Sequence, residues 1–509
     1  MATAGEIQFP EPIIHHLQSF LTRKEAARTT IVSKSWHSAW STRPNLDFKE
    51  RPCDYSRIDE FSKYAKKTIK RYEQSNLKIE SFKLCMKINW YGRVDLAKKL
   101  IVKALKIGAT RLSLRLNDRS NRFVLPHEVV FGAENLIGLS VKGCTINPDD
   151  DEMVIKCSRL ESLSLDEVYI PSDLVSNIIS SCPLIENLSL LSYTYSDYEY
   201  DDDEIENNGY EEAVGLVNNL GRLRCLVLGS VSFEKLFSGD DLLSKLPFLE
   251  DFTLYLERNN FEEVDIQISN CSLERIKLEL EDQRHMHSSG KRPRVKLDVP
   301  SIRKFTFEGD VIPSLSLIST PYSSREWESY VSVKCQRYGG PTAFWFGELC
   351  EFLTTLRQSK THLSLLVDNH NWTSFDYKVR DNIIQGLRKH ELESLAINMR
   401  GIPSLNCYAL LDGLFRLCRP KMITQYDKQQ RYHSKYKRNI DFLCLTLEQG
   451  MKVKVSRPSQ FMYGLNDLEE VNAQSFDVEW RPIPLESLLD IADEQQHQRV
   501  RLLLKWKPS

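Results

Sequence analysis

A six-residue pattern of apolar residues, L-x-x-L-x-L, recurs along this chain and limits its possible folds more than any other feature. Copies lie at residues 136–141, 160–165, 185–190, 223–228, 249–254, 273–278, 302–307 and 392–397, with a partial copy at 112–114. The apolar residues alternate within each copy, which is typical of a short strand with one buried face. One such strand cannot bury its apolar face alone, so the copies are expected to stack into a parallel sheet with one continuous core.

The spacing of the copies indicates the type of repeat. The fourth positions from Leu139 to Phe305 are separated by 24, 25, 38, 26, 24 and 29 residues. Most of these steps are in or close to the range of roughly 20–29 residues that leucine-rich repeats have. We therefore predict an α/β fold in which residues 77–400 form a leucine-rich-repeat solenoid, with the parallel sheet on its concave side and helices and loops outside.

The repeat pattern weakens between residues 311 and 363, where repeats cannot be counted from the sequence. Strands at 331–333 and 362–365 and a helix around 346–356 are expected there. Residues 401–509 are interpreted as terminal repeats and a C-terminal cap, because the open end of a repeat core must be covered. In that region we expect a helix that ends before Pro420, strand alternation at 443–447, a helix over about 484–496 and a final strand at 500–506.

Three polar stretches interrupt the repeats or the cap. The 38-residue separation between two repeats contains an acidic, tyrosine-rich insertion, residues 193–212. This insertion can be a loop or a contact surface for a basic target. A calcium loop is excluded because Asp202 takes the position where an EF-hand needs glycine. Residues 283–294 can be an exposed loop or a nuclear localisation signal. The basic run 428–438, interleaved with tyrosines, is interpreted as a solvated loop rather than a nucleic-acid site.

The segment from Phe9 to Phe48 has the densest apolar patterning in the chain. Pro10 and Pro12 are compatible with the first turn of a helix, where a missing N–H is tolerated. Ile14, Leu17 and Leu21 lie at i, i+3 and i+7, which predicts one apolar stripe on this helix. Thr22 and Glu25 have capping-box spacing, which predicts the start of a second helix that carries Ile31. A third helix is predicted from residue 32 to a stop at Pro44. Three short helices form a marginal core on their own, which favours a surface left for a partner.

This segment also resembles the F-box of plant proteins. The matching residues, in order, are Phe9-Pro10, Ile13-Ile14-His15-His16, Ser19-Phe20-Leu21, Lys24-Glu25-Ala26, Arg28-Thr29, Ser33-Lys34, Trp36, Trp40 and Pro44-Asn45-Leu46-Asp47-Phe48. The sequence departs from the family pattern at Pro12, Gln18 and Ser35. Together with the repeats, nearly the whole chain resembles plant F-box proteins with leucine-rich repeats.

The resemblance implies a three-helix F-box at residues 1–50, a helical connector at 51–76 and docking of the F-box onto the Skp adaptor of a cullin–RING ubiquitin ligase. The residues implied to bind the adaptor are Phe9, Pro10, Ile13, Ile14, Leu17, Phe20, Leu21, Ala26, Ser33, Lys34, Trp36 and Trp40. Polar strand positions of the repeats are candidates for binding a target protein, namely Ser164, Asp166, Ser189, Asp251, Tyr255, Arg275, Lys277 and Lys304.

Composition and motifs exclude several classes of function. The 68 basic and 70 acidic residues give a net charge of −2, which does not favour nucleic acid or an anionic membrane. No apolar run approaches the roughly 20 residues that span a bilayer, and the start of the sequence has no signal-peptide pattern. The twelve cysteines form no CxxC pair, which favours reduced thiols in the cytoplasm or nucleus and no metal site.

No catalytic motif of the GxSxG, GxxxxGK[ST], HExxH or GxGxxG type occurs, so neither an enzyme nor a cofactor is expected. The main hypothesis is the substrate-recognition subunit of a Skp–cullin–F-box ubiquitin ligase. Two alternatives stay open at this point. One is a small-molecule, hormone-like co-receptor of the same architecture, and the other is a repeat scaffold without a ligase.

Overall fold

The structure is a computed structural model. It describes residues 9–21, 23–50, 58–88, 91–117, 123–146, 154–191, 215–229, 242–258, 264–282, 292–319, 326–335, 343–368, 389–400, 404–424, 465–476, 479–485 and 499–508. The insertion 193–212, most of 283–294, the run 428–438, the strand at 443–447 and most of the helix at 484–496 lie outside these ranges. Internal contacts divide the chain into two compact units, Met1–Leu236 and Phe237–Ser509. The boundaries drawn at residues 50, 76 and 400 stay predictions.

The strands of the first unit form a sheet in which chain order and strand order coincide. Those described are β1 (Asn45–Lys49), β2 (Ser81–Lys87), β3 (Arg111–Asn117), β4 (Gly138–Thr145), β5 (Ser162–Tyr169), β6 (Asn187–Leu191) and β7 (Cys225–Gly229). Each pairs in parallel with the next. The fourth residues of successive motif copies are direct neighbours, and Leu139, Leu163, Leu188 and Leu226 are all buried. The predicted parallel stacking is thereby confirmed for this unit.

Helices precede and flank this sheet. Those described are α1 (Glu11–Ser19), α2 (Arg23–Arg28), α3 (Lys34–Thr42), α4 (Ile58–Gln74), α5 (Tyr91–Ile107), α6 (His127–Phe131) and α7 (Ser172–Ser181), with short 3₁₀ turns at Thr29–Ile31 and Val217–Asn219. Helix α4 lies in the predicted connector, buries Ala65, Ile69 and Tyr72, and contacts α5. We call the described residues from Phe9 to Thr42, which include α1, α2, α3 and the 3₁₀ turn at Thr29–Ile31, the helical head.

The helical head is joined to the sheet without an intervening linker. Strand β1 begins three residues after α3 ends, and it pairs directly with β2. The buried Tyr72 of α4 donates its hydroxyl to the carbonyl oxygens of Ser41 and Arg43, at 3.3 and 2.8 Å. At the other end of β1, the guanidinium of Arg93 donates to Glu50 (2.9 Å between Nη1 and Oε2). Strand pairing and buried polar contacts therefore fix the head to the first repeats.

In its described residues, the second unit contains a long parallel sheet with an antiparallel end, a second parallel sheet and a short pair of parallel strands. Its described strands are β8 (Asp251–Arg258), β9 (Asp265–Ser269), β10 (Arg275–Asp282), β11 (Arg294–Asp298), β12 (Lys304–Gly309), β13 (Ser314–Leu317), β14 (Glu328–Cys335), β15 (Lys360–Asp368), β16 (His390–Leu392), β17 (Ser394–Arg400), β18 (Cys418–Pro420), β19 (Met422–Thr424), β20 (Leu468–Phe476), β21 (Trp480–Ile483) and β22 (Arg499–Trp506).

Parallel pairing in the second unit runs in the order β8, β10, β12, β14, β15, β17 and β19. From β19 onward the pairing becomes antiparallel, through β22 to β20 and then β21. Val500, Leu502 and Leu504 of β22 are buried, as the alternation predicted. A strand that reverses the sheet direction thus ends the parallel stack, in the region predicted to cap it.

The layer behind the main sheet differs from the prediction of helices and loops. Strands β9, β11 and β13 form a second parallel sheet, and β16 pairs with β18. Ile266, Ile268, Val295, Leu297 and Leu315 of this second sheet are buried. Helices occur further along as α8 (Ala343–Thr355), which contacts β13 and confirms the helix predicted around 346–356, and α9 (Ser404–Leu417). The return segments between residues 265 and 317 are strands because they too alternate apolar and polar residues.

Buried hydroxyls explain why the repeat pattern weakens after residue 311. The row that contains Phe252, Ile276 and Phe305 continues with Ser329 and Thr361. Ser329 is fully buried and donates to Thr361 (2.9 Å between the hydroxyl oxygens), and the Ser359 hydroxyl lies within 2.6 Å of Ser329. A satisfied hydroxyl cluster thus takes the place of the expected apolar residues.

Replacement of Gly143 by alanine tests the packing of adjacent repeats. Gly143 has φ +73°, and an added Cβ would lie 2.3 Å from the carbonyl oxygen of Leu116. We expect Gly143→Ala to lower the free energy of opening of β4 by roughly 1–3 kcal/mol, measured by amide hydrogen exchange. Gly221→Ala is the matched control, because nothing lies within 4 Å of its added Cβ. Equal effects of the two changes would contradict the close contact.

Candidate functional site

The core of the helical head is very small. Its most deeply buried side chains are Ile14, Gln18, Ala26 and Ala39, of which only Ile14 is a large apolar residue. In α1, Ile14 and Gln18 share the inward face at i and i+4. The predicted apolar stripe of Ile14, Leu17 and Leu21 is therefore divided, because only Ile14 points inward.

Large apolar side chains of the head are exposed instead of buried. Phe20 is 74% exposed, Ile31 88% and Val32 65%. The others are Phe9, Ile13, Leu17 and Leu21. Ile31 was expected within the second helix and Val32 within the third, and both expectations are wrong. Helix α2 ends at Arg28, and α3 begins at Lys34 because Ser33 caps it, accepting from the Trp36 amide at 3.4 Å.

The implied adaptor-binding residues fall into three groups. Exposed residues are Phe9, Pro10, Ile13, Leu17, Phe20, Leu21 and Lys34. Ser33, Trp36 and Trp40 are half-buried. Ile14 and Ala26 are buried, so they support the head from inside and are not available to a partner in this conformation.

Gln18 takes an inward position where the resemblance predicts an aliphatic residue. Its amide nitrogen donates to the Thr29 hydroxyl at 3.0 Å and to the Trp36 carbonyl oxygen at 3.3 Å. The Thr29 hydroxyl in turn donates to the carbonyl oxygen of Ala26 at 2.7 Å. Gln18 therefore connects α1 directly to the 3₁₀ turn and to α3, and through the Thr29 hydroxyl to α2.

The target-binding candidates of the first unit lie on the polar face of the sheet. Ser164 and Ser189 are neighbours in one row of β5 and β6. Asp166 lies beside Lys142 of β4, whose ammonium is 2.8 Å from both Asp166 and Glu167. Burial alone would lower the pKa of Lys142, but its hydrogen bonds to these two carboxylates outweigh burial and raise the pKa.

The candidates of the second unit form connected rows across β8, β10 and β12. Asp251, Arg275 and Lys304 are neighbours in register, and Arg275 Nη2 donates to Asp251 Oδ2 at 2.7 Å. Lys277 lies 4.8 Å from the ring centre of Tyr255 and 2.8 Å from Glu279. Burial would lower the pKa of Lys277, yet the hydrogen bond to Glu279 raises it.

Strands β14 and β15 extend these rows with residues that were not predicted. The ammonium of Lys304 lies 4.6 Å from the ring centre of Tyr330, and Tyr330 stacks on His362 with ring centres 4.7 Å apart. His362 Nδ1 is 2.8 Å from the Ser394 hydroxyl. Tyr330 and His362 carry no leucine signature, and only their positions between buried residues of an alternating strand could have indicated them.

A cavity of about 190 Å³ lies in the second unit, lined by Leu353, Arg357, Thr361, Lys389, His390, Glu391, Leu392 and Arg419. Lys389 and Arg419 both donate to Asp467, at 2.9 and 2.8 Å. These hydrogen bonds, that of Lys389 foremost, lower the pKa of Asp467. The two cations therefore tie β16 and β18 to the start of β20, which makes them structural residues of the C-terminal end.

Neither a cluster of metal-ligating side chains nor a membrane-spanning helix occurs in the described ranges. Within them, no cluster of three or more His, Cys, Asp or Glu side chains has the arrangement of a metal site. Among the helices described, none combines the length and apolarity needed to cross a membrane.

Comparisons with known proteins point to one group of relatives. No protein-family profile matches the chain. An F-box/LRR-repeat protein of Arabidopsis thaliana is 29% identical over 187 residues, which cover 36% of this chain and 37% of the relative. A putative F-box/LRR-repeat protein of the same plant is 30% identical over 206 residues (37% and 36%). A putative F-box/FBD/LRR-repeat protein is 22% identical over 190 residues (36% and 41%).

The chain is similar to plant F-box/LRR-repeat proteins. The resemblance inferred from the sequence is thereby confirmed, and the large parallel sheet of each unit is consistent with this similarity. The matches span little more than a third of the length of these F-box/LRR-repeat relatives.

Removal of the Gln18 amide tests its role inside the head. Gln18→Ala loses two hydrogen bonds and leaves a gap, so the head should lose about 1–3 kcal/mol of stability. Amide exchange in α1 and α3 of the full chain measures the loss. Lys24→Ala, at an exposed position of α2, is the control and should change exchange little. Unchanged exchange in Gln18→Ala would show that the amide contributes nothing.

The stability of the polar face of the second unit should depend on pH through His362. Burial disfavours its charged form and lowers the pKa of His362 below 6.5, while Glu328 and Glu393 oppose the shift. Stability from this group is thus present above about pH 6.5 and is lost as pH falls through the lowered pKa. We expect weaker amide protection of β15 at pH 5 than at pH 7.5. His362→Phe keeps a ring beside Tyr330 but cannot titrate, so an undiminished pH effect in this variant would contradict the assignment.

Proposed function

We propose that this chain is the substrate-recognition subunit of a Skp–cullin–F-box ubiquitin ligase. The observation that carries the proposal is the helical head, which exposes seven large apolar side chains over a core with one large apolar residue. Exposed apolar groups concentrated in so short a segment mark an interaction site. The F-box similarity supports a Skp-type adaptor as the partner, and through it a cullin–RING ligase.

The proposed mechanism is positioning without catalysis by this chain. The head would bind the adaptor, and the sheets would hold a target so that its lysines meet a ubiquitin-charged enzyme at high effective concentration. The direct connection from α3 into β1 and the Tyr72 hydrogen bonds favour this mechanism, because they fix the head to the first repeats. The chemistry would belong to other subunits.

The polar rows of the sheets are the proposed target-binding surfaces. Rows that contain Ser164 and Ser189 in the first unit, and Lys277, Lys304 and Tyr330 in the second, offer hydroxyls, charges and aromatic rings. Such a mixture suits a polar protein surface better than an apolar small molecule. The cavity of about 190 Å³ beside His390 does not itself support the hormone-like alternative, since it is below the roughly 300–1,000 Å³ of typical ligand pockets.

Replacement of two exposed apolar residues of α1 tests the adaptor proposal. Ile13 and Leu17 lie at i and i+4 and are 46% and 40% exposed. We expect the double variant Ile13→Asp/Leu17→Asp to bind a recombinant plant Skp adaptor roughly 100-fold more weakly, because two apolar contacts are replaced by buried charges. The affinity is measured as binding of the full chain to surface-immobilised adaptor.

Phe248→Asp is the matched control, since Phe248 is 61% exposed and belongs to the second unit. It should bind the adaptor as the unaltered chain does. Circular dichroism must show that the double variant keeps its fold. Absence of any complex between the unaltered chain and the adaptor would reject the ligase function and favour a repeat scaffold.

A further inference from the structure

Exposed cations cluster on the first three strands of the sheet. Burial alternates along β1, β2 and β3, so that one face carries the core and the other faces solvent. The exposed positions of the solvent face include Lys49, Lys83, Lys87, Arg111 and Arg115. We call these five residues the basic face. None of them was among the target-binding candidates predicted from the sequence.

Strand register sets the spacing of these charges. Lys49 and Arg115 lie in one row, separated by Cys85 of β2, and Lys83 is the direct neighbour of Ser113. Adjacent strands are about 4.8 Å apart, and residues i and i+2 of one strand are about 7 Å apart. Lys83 therefore lies roughly 8 Å from Arg115 at the backbone, and Lys49 lies roughly 10 Å from it. Carboxylates at alternate positions of an extended chain have a similar spacing.

Several acidic residues near the basic face already have a cationic partner, and one of these partners, Arg111, belongs to the face itself. Glu50 is bound by the buried Arg93. Asp166 and Glu167 are bound by Lys142, and Glu161 lies 3.8 Å from Arg111. Within the described ranges, Lys49, Lys83 and Arg115 form no ion pair. The acid on the same face is Asp47, the neighbour of Lys83 in register. The face therefore keeps a net positive charge.

Beside the basic face lies a row of short hydroxyl side chains. Ser113, Ser140, Ser164 and Ser189 are direct neighbours across β3, β4, β5 and β6. Serine side chains are short, so the backbone of a partner can approach this part of the sheet closely. Their hydroxyls can also donate hydrogen bonds to carboxylates or to a partner's carbonyl groups.

We propose that the basic face and the adjoining serine row bind an acidic segment of the target protein in extended conformation. This inference rests on the proposed function, and it adds the chemistry of the segment that is recognised. Single exposed ion pairs are weak, but charges this close lie within a Debye length and attract an acidic segment together. Nucleic acid is a poorer fit, because these three strands present no aromatic side chain for base stacking on this face.

The test uses the full chain and a fluorescein-labelled oligoglutamate peptide, with binding followed by fluorescence anisotropy at low salt. We expect saturable binding that weakens as salt is added. The double variant Lys83→Glu/Arg115→Glu should bind about tenfold more weakly, because two attractive contacts become repulsive. The matched control is Lys67→Glu/Lys99→Glu, which makes the same charge change at exposed lysines of α4 and α5 and should keep the affinity.

Four outcomes would overturn the inference. Equal weakening in both double variants would show that only net charge matters, and tighter binding of oligothymidylate than of oligoglutamate would indicate a nucleic-acid surface. Loss of adaptor binding by Lys83→Glu/Arg115→Glu would assign the face to the adaptor. Intact adaptor binding together with equal peptide binding in both variants would reject this inference alone and leave the proposed function standing.

Discussion

The lateral alignment of apolar residues in adjacent parallel strands is the constraint on which the rest of this structure depends. Leu139, Leu163, Leu188 and Leu226 are each covered by their neighbours in register. Burial of a leucine side chain stabilises the fold by about 1.5–3 kcal/mol, and a single repeat cannot bury its leucines without neighbouring repeats. Because side chains alternate across a strand, the same register also aligns Ser140, Ser164 and Ser189 on the opposite face. The packing of the core thus determines where the candidate binding residues lie.

The sequence was sufficient to predict the parallel stack but not all of its rows. The leucine pattern predicts strands because leucine is recognisably apolar, whereas Ser329 and Thr361 fill the same row with hydroxyls that satisfy one another. Such a cluster depends on Ser359, which comes thirty residues after Ser329 in the chain, so no local pattern reveals it. The second sheet was missed for a different reason. Its strands are only four or five residues long, and short apolar alternations in return segments are ambiguous.

In the helical head, the inward face of the first helix could not be predicted from the sequence. Three helices follow from the proline and capping signals, but periodicity assigned Leu17 and Leu21 to the same stripe as Ile14. Gln18 fills the inward position because Thr29 and the Trp36 carbonyl offer acceptors that are fixed only in the folded head. Ile13 and Leu17 lie on a different face of α1 from Ile14 and Gln18, and Phe20 follows the end of the helix, so all three are exposed to solvent.

The position of β1 relates the head to the repeats. Asn45–Lys49 is the end of the segment that resembles an F-box and is also the first strand of the stack, paired with β2. Leu46 and Phe48 belong to the repeat core, while Lys49 lies on the basic face. Movement of the head relative to the first repeats would have to break the hydrogen bonds from the Tyr72 hydroxyl to the carbonyl oxygens of Ser41 and Arg43, directly before β1. A partner bound to the head and a segment bound to the basic face would therefore stay at a fixed distance and orientation to each other. Catalysis by proximity requires this geometry.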